Sequence, residues 1–408
     1  MYLPPLKQRG WIRLALALVL LGVSGTATAQ PAHEDAPDAS LRLGPVWLAP
    51  RLAIRNIGVD TNVFNNADAP VRDLTATGGP EVDSWFRLGR IEWAGRSSVA
   101  WNYFRDTESQ RSFDLGQNGR VRLDLGRVRP FVRAAISRSR QRLNLEIDAR
   151  VRWQTAERSG GLEVLLGPKT TLTVEHGLRD FKFDEATLIG SSLSEALDRT
   201  ETTTTARGRY VLTPLTTMVV TADVRADRFR VSTGRDSDSV RVTGGLELRP
   251  LALVAGRAVM GVREFTPRSS AIPAFTGTVA DVELSYQLRD LTRLVWLLQR
   301  DVDYSFEASQ AYYVSTGTRL SAVQALGGGW DVVAHVGRTA LGYQARVDSD
   351  STERGRTDRV LVYGGGVGRR FGTELRIGME LEYGTRTSNV RVRSYKGLRG
   401  GGTVSYGF

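Results

Sequence analysis

The sequence predicts an all-β protein, a transmembrane antiparallel up-and-down β-barrel of about 18 strands, with 16 as the alternative count. Three observations carry that expectation. Apolar and polar residues alternate through nearly the whole chain, at the period of two that an extended strand imposes. The connections between the alternating segments fall into two interleaved series, one short and one long. After the first 29 residues no apolar run is long enough for a spanning helix, the densest being Leu294 to Leu298. The composition, with 43 Gly and 24% charged residues, would suit a soluble chain equally well, because only alternate residues of a barrel need be apolar.

Lys7, Arg9 and Arg13 precede an apolar run from Leu14 to Val23, and Ala27-Thr28-Ala29 supplies the small residues of a cleavage site. Residues 1–29 therefore read as a secretory signal peptide. Residues 30–46 read as a flexible periplasmic lead-in, since Gln30 to Leu43 is rich in Ala, Asp and Pro. The barrel then occupies residues 47–408. The absence of Cys excludes a lipoprotein, a disulfide scaffold and a thiolate metal site.

The tight connections are expected at Ala94-Gly95-Arg96, Leu125-Gly126-Arg127, Gly167-Pro168-Lys169, Thr213-Pro214-Leu215, Arg249-Pro250-Leu251, Arg289-Asp290-Leu291, Gly327-Gly328-Gly329 and Phe371-Gly372-Thr373. The long polar ones are expected at Asn65 to Glu81, Arg138 to Arg150, Asp184 to Arg199, Val231 to Ser239, Thr266 to Ala274 and Asp348 to Arg356. In outer-membrane barrels short turns face the periplasm and long loops face outside. Interleaving then requires an even strand number with both chain ends inside.

Met218, Val220, Ala222 and Val224 alternate with Thr221, Asp223 and Arg225, and Leu375, Ile377, Met379, Leu381 and Tyr383 alternate with Arg376, Gly378, Glu380 and Glu382. A charge at mid-membrane depth on the lipid face costs about 2 to 4 kcal/mol, so the charged register points into the lumen. The last segment repeats the pattern: Leu398, Gly400, Gly402, Val404, Tyr406 and Phe408 share one face. Unpaired strand edges in hydrocarbon are costly, so the sheet must close.

A barrel this wide leaves an aqueous channel. Parity places Arg120, Arg122, Arg129, Arg133, Arg225, Arg241, Arg376 and Glu380 on its wall as pore-lining candidates. Arg120, Arg122, Arg129 and Arg133 flank the turn at Gly126 and form the best local candidate for an anion-attracting patch. The alternative is that such arginines pair with acids across strands and brace the wall. The formal charge of +11 loses three with Lys7, Arg9 and Arg13, leaving +8. These arginines are spread over many strands rather than gathered on one face, which argues against nucleic acid. Aromatics near strand ends, Trp85, Trp93, Trp101, Tyr103, Trp153, Tyr210, Tyr286, Trp296, Tyr343, Tyr383 and Tyr406, read as interfacial girdle residues. Phe104, Phe131 and Tyr313 face the lumen by parity and could stack on sugar rings.

Catalytic chemistry is not visible. His33, His176 and His335 are the three histidines, and His176 shares the outward parity of Leu172, Val174 and Leu178. Asp348-Ser349-Asp350 and Asp236-Ser237-Asp238 lack the spacing of a calcium loop and read as solvated hairpin tips. No metal or other cofactor is expected, and no enzymatic activity.

The run Gly58-Val59-Asp60-Thr61-Asn62-Val63-Phe64, after Leu43-Gly44-Pro45 and Leu48-Ala49-Pro50, resembles the opening of a porin-like family of bacterial outer-membrane barrels associated with exopolysaccharide and capsule loci. Val59 stands where an aromatic is usual, and Thr61 replaces Ser or Asp. The resemblance implies a Gram-negative outer-membrane channel that assists polysaccharide export, with export components as partners. It singles out Asp60, Asn62 and Phe64 but assigns them no binding role. Phe408 matches the terminal Phe with which such barrels close, and implies contact with the barrel-assembly machinery besides outer-membrane lipid. The alternatives from the residues are a general or anion-preferring porin for small solutes, and a structural or adhesive barrel plugged by the Asn65 to Glu81 and Asp184 to Arg199 loops. An inward-folded loop would favour the porin.

Overall fold

The computed structural model describes residues 41–250, 253–289, 291–347 and 354–407. The signal peptide, His33, Leu251, Asp290, Asp348 to Asp350 and Phe408 lie outside them. In chain order the elements are β1 (Leu41–Leu43), β2 (Val46–Asp60), β3 (Asp73–Leu88), β4 (Ile91–Phe104), β5 (Ser112–Leu123), β6 (Val128–Ser139), β7 (Trp153–Leu165), β8 (Thr170–Phe183), β9 (Thr187–Leu188), β10 (Ser191–Ser192), the short helix α1 (Leu193–Leu197), β11 (Arg199–Thr213), β12 (Thr216–Phe229), β13 (Ser237–Leu248), β14 (Val254–Pro267), β15 (Phe275–Leu288), β16 (Thr292–Tyr304), β17 (Gln310–Ala325), β18 (Trp330–Ala345), β19 (Thr357–Phe371), β20 (Leu375–Thr387) and β21 (Tyr395–Tyr406).

Among the described residues, eighteen of these strands form one closed antiparallel wall, each paired with its neighbour in sequence, and β2 closes on β21. The pairs of β1, β9 and β10 are small additions. At the seam Leu52 faces Tyr406 and Asp60 faces Arg399, with a bulge at Arg55 and Asn56 where Asn56 takes φ 54°. The extra residue shifts the inward parity of β2 from odd to even, which brings Asp60 to the lumen side. Gly58 is required here, because a Cβ would lie 2.0 Å from the carbonyl oxygen of Gly400. Below the end of β21, β1 continues the ladder along Val46 to Leu48.

The parity reading holds. Met218, Val220, Val224, Ile377, Met379 and Leu381 are exposed on the outer surface, whereas Val219, Thr221, Asp223 and Arg376 are buried on the inner one. Trp101, Tyr210, Trp296 and Tyr406 are exposed on the outer surface as well, and Trp101 packs on Tyr103 and Phe113. Trp153 and Tyr343, expected in the girdle, are buried inside instead. Each shares its parity with inward neighbours, Glu163 on β7 and Leu341 on β18, and meets packed loops rather than lipid.

Two connections differ from expectation. The first tight turn is at Gly89 and Arg90, and Ala94-Gly95-Arg96 lies within β4. Gly95 pairs with Gly119 of β5, and the Trp93 indole lies over both, so that a Cβ at Gly119 would sit 2.4 Å from the ring. Most of Asn65 to Glu81 belongs to β3, whose Gly78-Gly79-Pro80 suggests a loop from sequence. Gly79 instead serves close strand contact, since a Cβ there would lie 1.9 Å from the carbonyl oxygen of Val99.

Candidate functional site

The lumen wall carries a lattice of ion pairs. Arg122 Nε donates to Glu92 at 2.8 Å, Arg129 meets Glu163 at 3.3 Å and Asp124 at 3.5 Å, and Arg133 meets Glu175 at 3.0 Å. Arg120 lies 4.5 Å above the ring of Phe131, with Arg133 4.8 Å from the same ring. The four arginines are engaged in pairs and ring contacts that brace the wall, and Phe131, only 3% exposed beneath Arg120 and Arg133, is not open to a sugar. Phe104 is likewise covered, by Arg150 at 4.5 Å, and Tyr313 is buried against Tyr343.

The remaining candidates follow the same rule. Arg225 pairs with Glu201 and Asp227 at 2.9 and 2.8 Å, and Arg241 with Asp223 and Asp301 at 2.9 and 3.2 Å. Arg376 is held by Asp331 at 2.6 Å in a buried pair, and Glu380 stands 3.8 Å from Arg376. Cross-strand pairs of this kind are how a charged inner face is stabilised. His335 meets Glu382 at 3.1 Å on the wall, while His176 contacts Thr204 at 2.9 Å on the outer surface.

The opening motif works at the seam. Asp60 accepts the backbone N–H of Asn62 at 2.9 Å and pairs with Arg399 of β21 at 2.9 Å. The buried Asn62 amide donates to the carbonyls of Asn66 and of Lys396 in β21, and its oxygen accepts the N–H of Asn66. First and last strands are tied by this pair of side chains. Phe64 makes no comparable tie.

The mouth at the loop end is closed on one side by residues that parity could not foresee. The connection between β6 and β7, residues 140–152, folds into the lumen, and its tip reaches the opposite wall. Glu146 is fully buried there. Its carboxylate accepts from Ser305 Oγ at 2.6 Å, from the Tyr343 hydroxyl of β18 and from Arg393 Nη2 at 2.9 Å. Arg386 of β20 donates to the carbonyl of Leu145 at 2.6 Å and to Asp148 at 2.8 Å. Arg142 donates to the carbonyl of Val63 at 2.8 Å, so the first loop supports the crossing.

On the β7 to β17 side the space is filled with apolar groups. Leu143, Ile147 and Val151 of the crossing loop pack with Leu193, Ala196 and Leu197 of α1, with Phe181, Phe183, Phe229, Phe265, Tyr304 and Tyr312 of the wall, and with Ile272 and Phe306 of neighbouring loops. Arg235 stitches this plug from the β12 to β13 connection, donating to the carbonyl of Glu307 at 2.7 Å and to that of Ser305. The β2 to β5 wall opposite is polar, with Asn102, Asp114, Asp60 and Asp73 on its inner face. The Asp184 to Arg199 loop contributes α1, most of Asn65 to Glu81 lies in β3, and residues 140–152 make the crossing.

Burial dominates the electrostatics of the plug. It lifts the Glu146 carboxyl above the ordinary carboxylate range, and Glu307 nearby adds to the shift against the pull of Arg393. It also brings the Arg142, Arg150 and Arg235 guanidiniums down to about 10. Arg356, paired with Glu307 and Asp358, goes the other way. No three carboxylate, His or Cys groups gather as a metal site among the described residues.

A sequence profile of the family described as Putative beta-barrel porin 2 matches residues 38–406, the whole wall from β1 to β21. The chain belongs to that family. This makes it a porin-like outer-membrane barrel. No curated protein sequence matches it. Solved structures similar to it include OccK2 (OpdF) from Pseudomonas aeruginosa in complex with glucuronate, 11% identical over 88% of this chain and 97% of that one, with a TM-score of 0.48. A BenF-like porin from Pseudomonas fluorescens Pf-5 is 11% identical over 88% and 98%, also at 0.48. A bacterial polysaccharide outer membrane secretin is 10% identical over 88% and 98%, at 0.35. At these scores the superpositions carry no argument about solute.

Proposed function

We propose that this barrel is a channel for small solutes in the outer membrane of a Gram-negative bacterium, constricted by the loop of residues 140–152. The observation that supports it is the buried seat of Glu146 on the far wall, among Ser305, Tyr343 and Arg393. A loop fixed at both walls obstructs the mouth, which favours small solutes over a polymer strand. Polysaccharide export rested on the likeness of Gly58 to Phe64. Asp60 and Asn62 of that segment are engaged in joining β2 to β21, and the likeness assigns neither of them a solute.

Liposome swelling with sugars of graded size tests the proposal. Pentoses and hexoses should enter at rates that fall steeply with mass, and oligosaccharides should be excluded. Equal entry of long oligosaccharides would overturn it. Loss of secreted polymer on deletion of the gene would restore the export reading.

A further inference from the structure

Two guanidiniums meet one carboxylate in the periplasmic half of the wall, and a third stands near them. Glu247, next to the end of β13, accepts from Arg209 Nη2 of β11 at 2.6 Å, and Arg257 Nε of β14 stands 3.9 Å away. Arg207 shares the inward face of β11 with Arg209. Among the described residues it meets no carboxylate at ion-pair distance, and its Nε has no hydrogen-bond partner. The charges that act on it are those of Arg257, Glu247, Asp223 and Arg133. Asp223 is already engaged by Arg241 at 2.9 Å and by Thr205 at 2.7 Å, and Arg133 by Glu175.

A second group with nothing to bind lies beside it. Thr221 of β12 is the direct cross-strand neighbour of Arg207, is only 4% exposed, and its hydroxyl has no partner. Arg257 Nε is also buried without one. Beneath them Val219 faces Gly245, a position without a side chain, across the ladder. Buried polar groups are ordinarily satisfied, and orphan donors sharing one spot mark a missing acceptor. Three guanidiniums stand against Glu247 and Glu283, the cross-strand neighbour of Arg257, and the excess of positive charge gives that acceptor its sign.

We infer that Arg207, Arg209, Arg257 and Thr221 bind a small oxyanion of the phosphate class on the periplasmic side of the constriction. Guanidinium forks match the edges of a tetrahedral oxyanion, and the Thr221 hydroxyl donates to a further oxygen. Glu247 holds Arg209 and Arg257 in place and keeps the site from gripping so tightly that the anion cannot leave. The inference rests on the aqueous channel proposed above, through which the anion arrives.

The test is calorimetric titration of inorganic phosphate into the full barrel in detergent at low ionic strength. Saturable binding is expected, weakened roughly tenfold or more in Arg207→Gln/Arg257→Gln and severalfold in the near-isosteric Thr221→Val, as lost charge-assisted hydrogen bonds imply. No saturable binding by the native barrel, or unchanged binding by a double variant with native circular dichroism, overturns the site. Should the double variant fail to fold, the Thr221→Val result decides. Bilayer conductance of the same preparation separates the two readings: a barrel that conducts but binds no phosphate sinks the site alone, and one that binds phosphate but never conducts sinks the channel alone.

Discussion

Glu146, at the tip of the loop that leaves β6, accepts a hydrogen bond from the hydroxyl of Tyr343 on the opposite side of the barrel, and Arg393 completes the seat with a contact to the same carboxylate oxygen at 2.9 Å. A segment tied at one wall by its own strands is thereby fixed at the other.

Arg393→Ala should release the crossing. Arg393 also donates to the carbonyl of Glu146 at 2.6 Å and lies 3.5 Å from Glu307 and 3.7 Å from Asp148. Breaking a buried pair by removing one partner costs about 3 to 5 kcal/mol. Single-channel recordings should show more frequent and larger openings, with the β circular dichroism of the wall unchanged.

Acid should favour closure. The seated Glu146 titrates above its ordinary range, whereas with the loop open it would titrate near the reference value of about 4.3. Closing therefore takes up a proton. The contribution grows as pH falls from neutral through the raised value, and is complete below the open-state value. Arg386, Arg393 and Tyr343, which face Glu146, do not change charge in that window. Open probability should drop as pH falls from neutral toward the ordinary carboxylate range, and Glu146→Gln should abolish the dependence. A rise on acidification would contradict the assignment.

The seam should be sensitive to Asn62→Ala. The substitution deletes three hydrogen bonds and leaves the Lys396 carbonyl and the Asn66 N–H unmet. A loss of about 1 to 3 kcal/mol is expected, seen as a lower temperature for loss of the compact form in gel electrophoresis. Phe64→Ala should have the smaller effect.

Wall pairs should differ with burial. Arg376→Ala uncovers Asp331, which is 3% exposed, and should cost about 3 to 5 kcal/mol. Arg129→Ala, whose pair with Glu163 is partly exposed, should cost no more than about 1 kcal/mol. Urea titration in detergent compares the two.

The wall was legible in the chain because lipid on one side and water on the other force a period of two, so that Met379 and Arg376 declare their faces without knowledge of the neighbours. Glycines misled where they serve close packing rather than turning, as at Gly95 beneath Trp93 and Gly79 against Val99. The partners of the inward arginines were only half legible: parity placed Arg133 inside, but its acid, Glu175, lies two strands away on β8. The plug was not legible. Leu143, Leu145, Ile147, Ala149 and Val151 alternate with Asn144, Glu146, Asp148 and Arg150 as a wall strand would, and the burial of Leu143, Ile147 and Val151 inside the lumen depends on residues as distant in sequence as Tyr343 and Arg393.

Conductance of a barrel whose residues 141–151 are replaced by a short Gly-Ser connector tests the crossing loop most directly. A severalfold larger unitary conductance than the native barrel, with the same strand content, is the predicted result. Native and shortened barrels of equal conductance would show that the loop does not obstruct the lumen, and the constricted-channel account would fall.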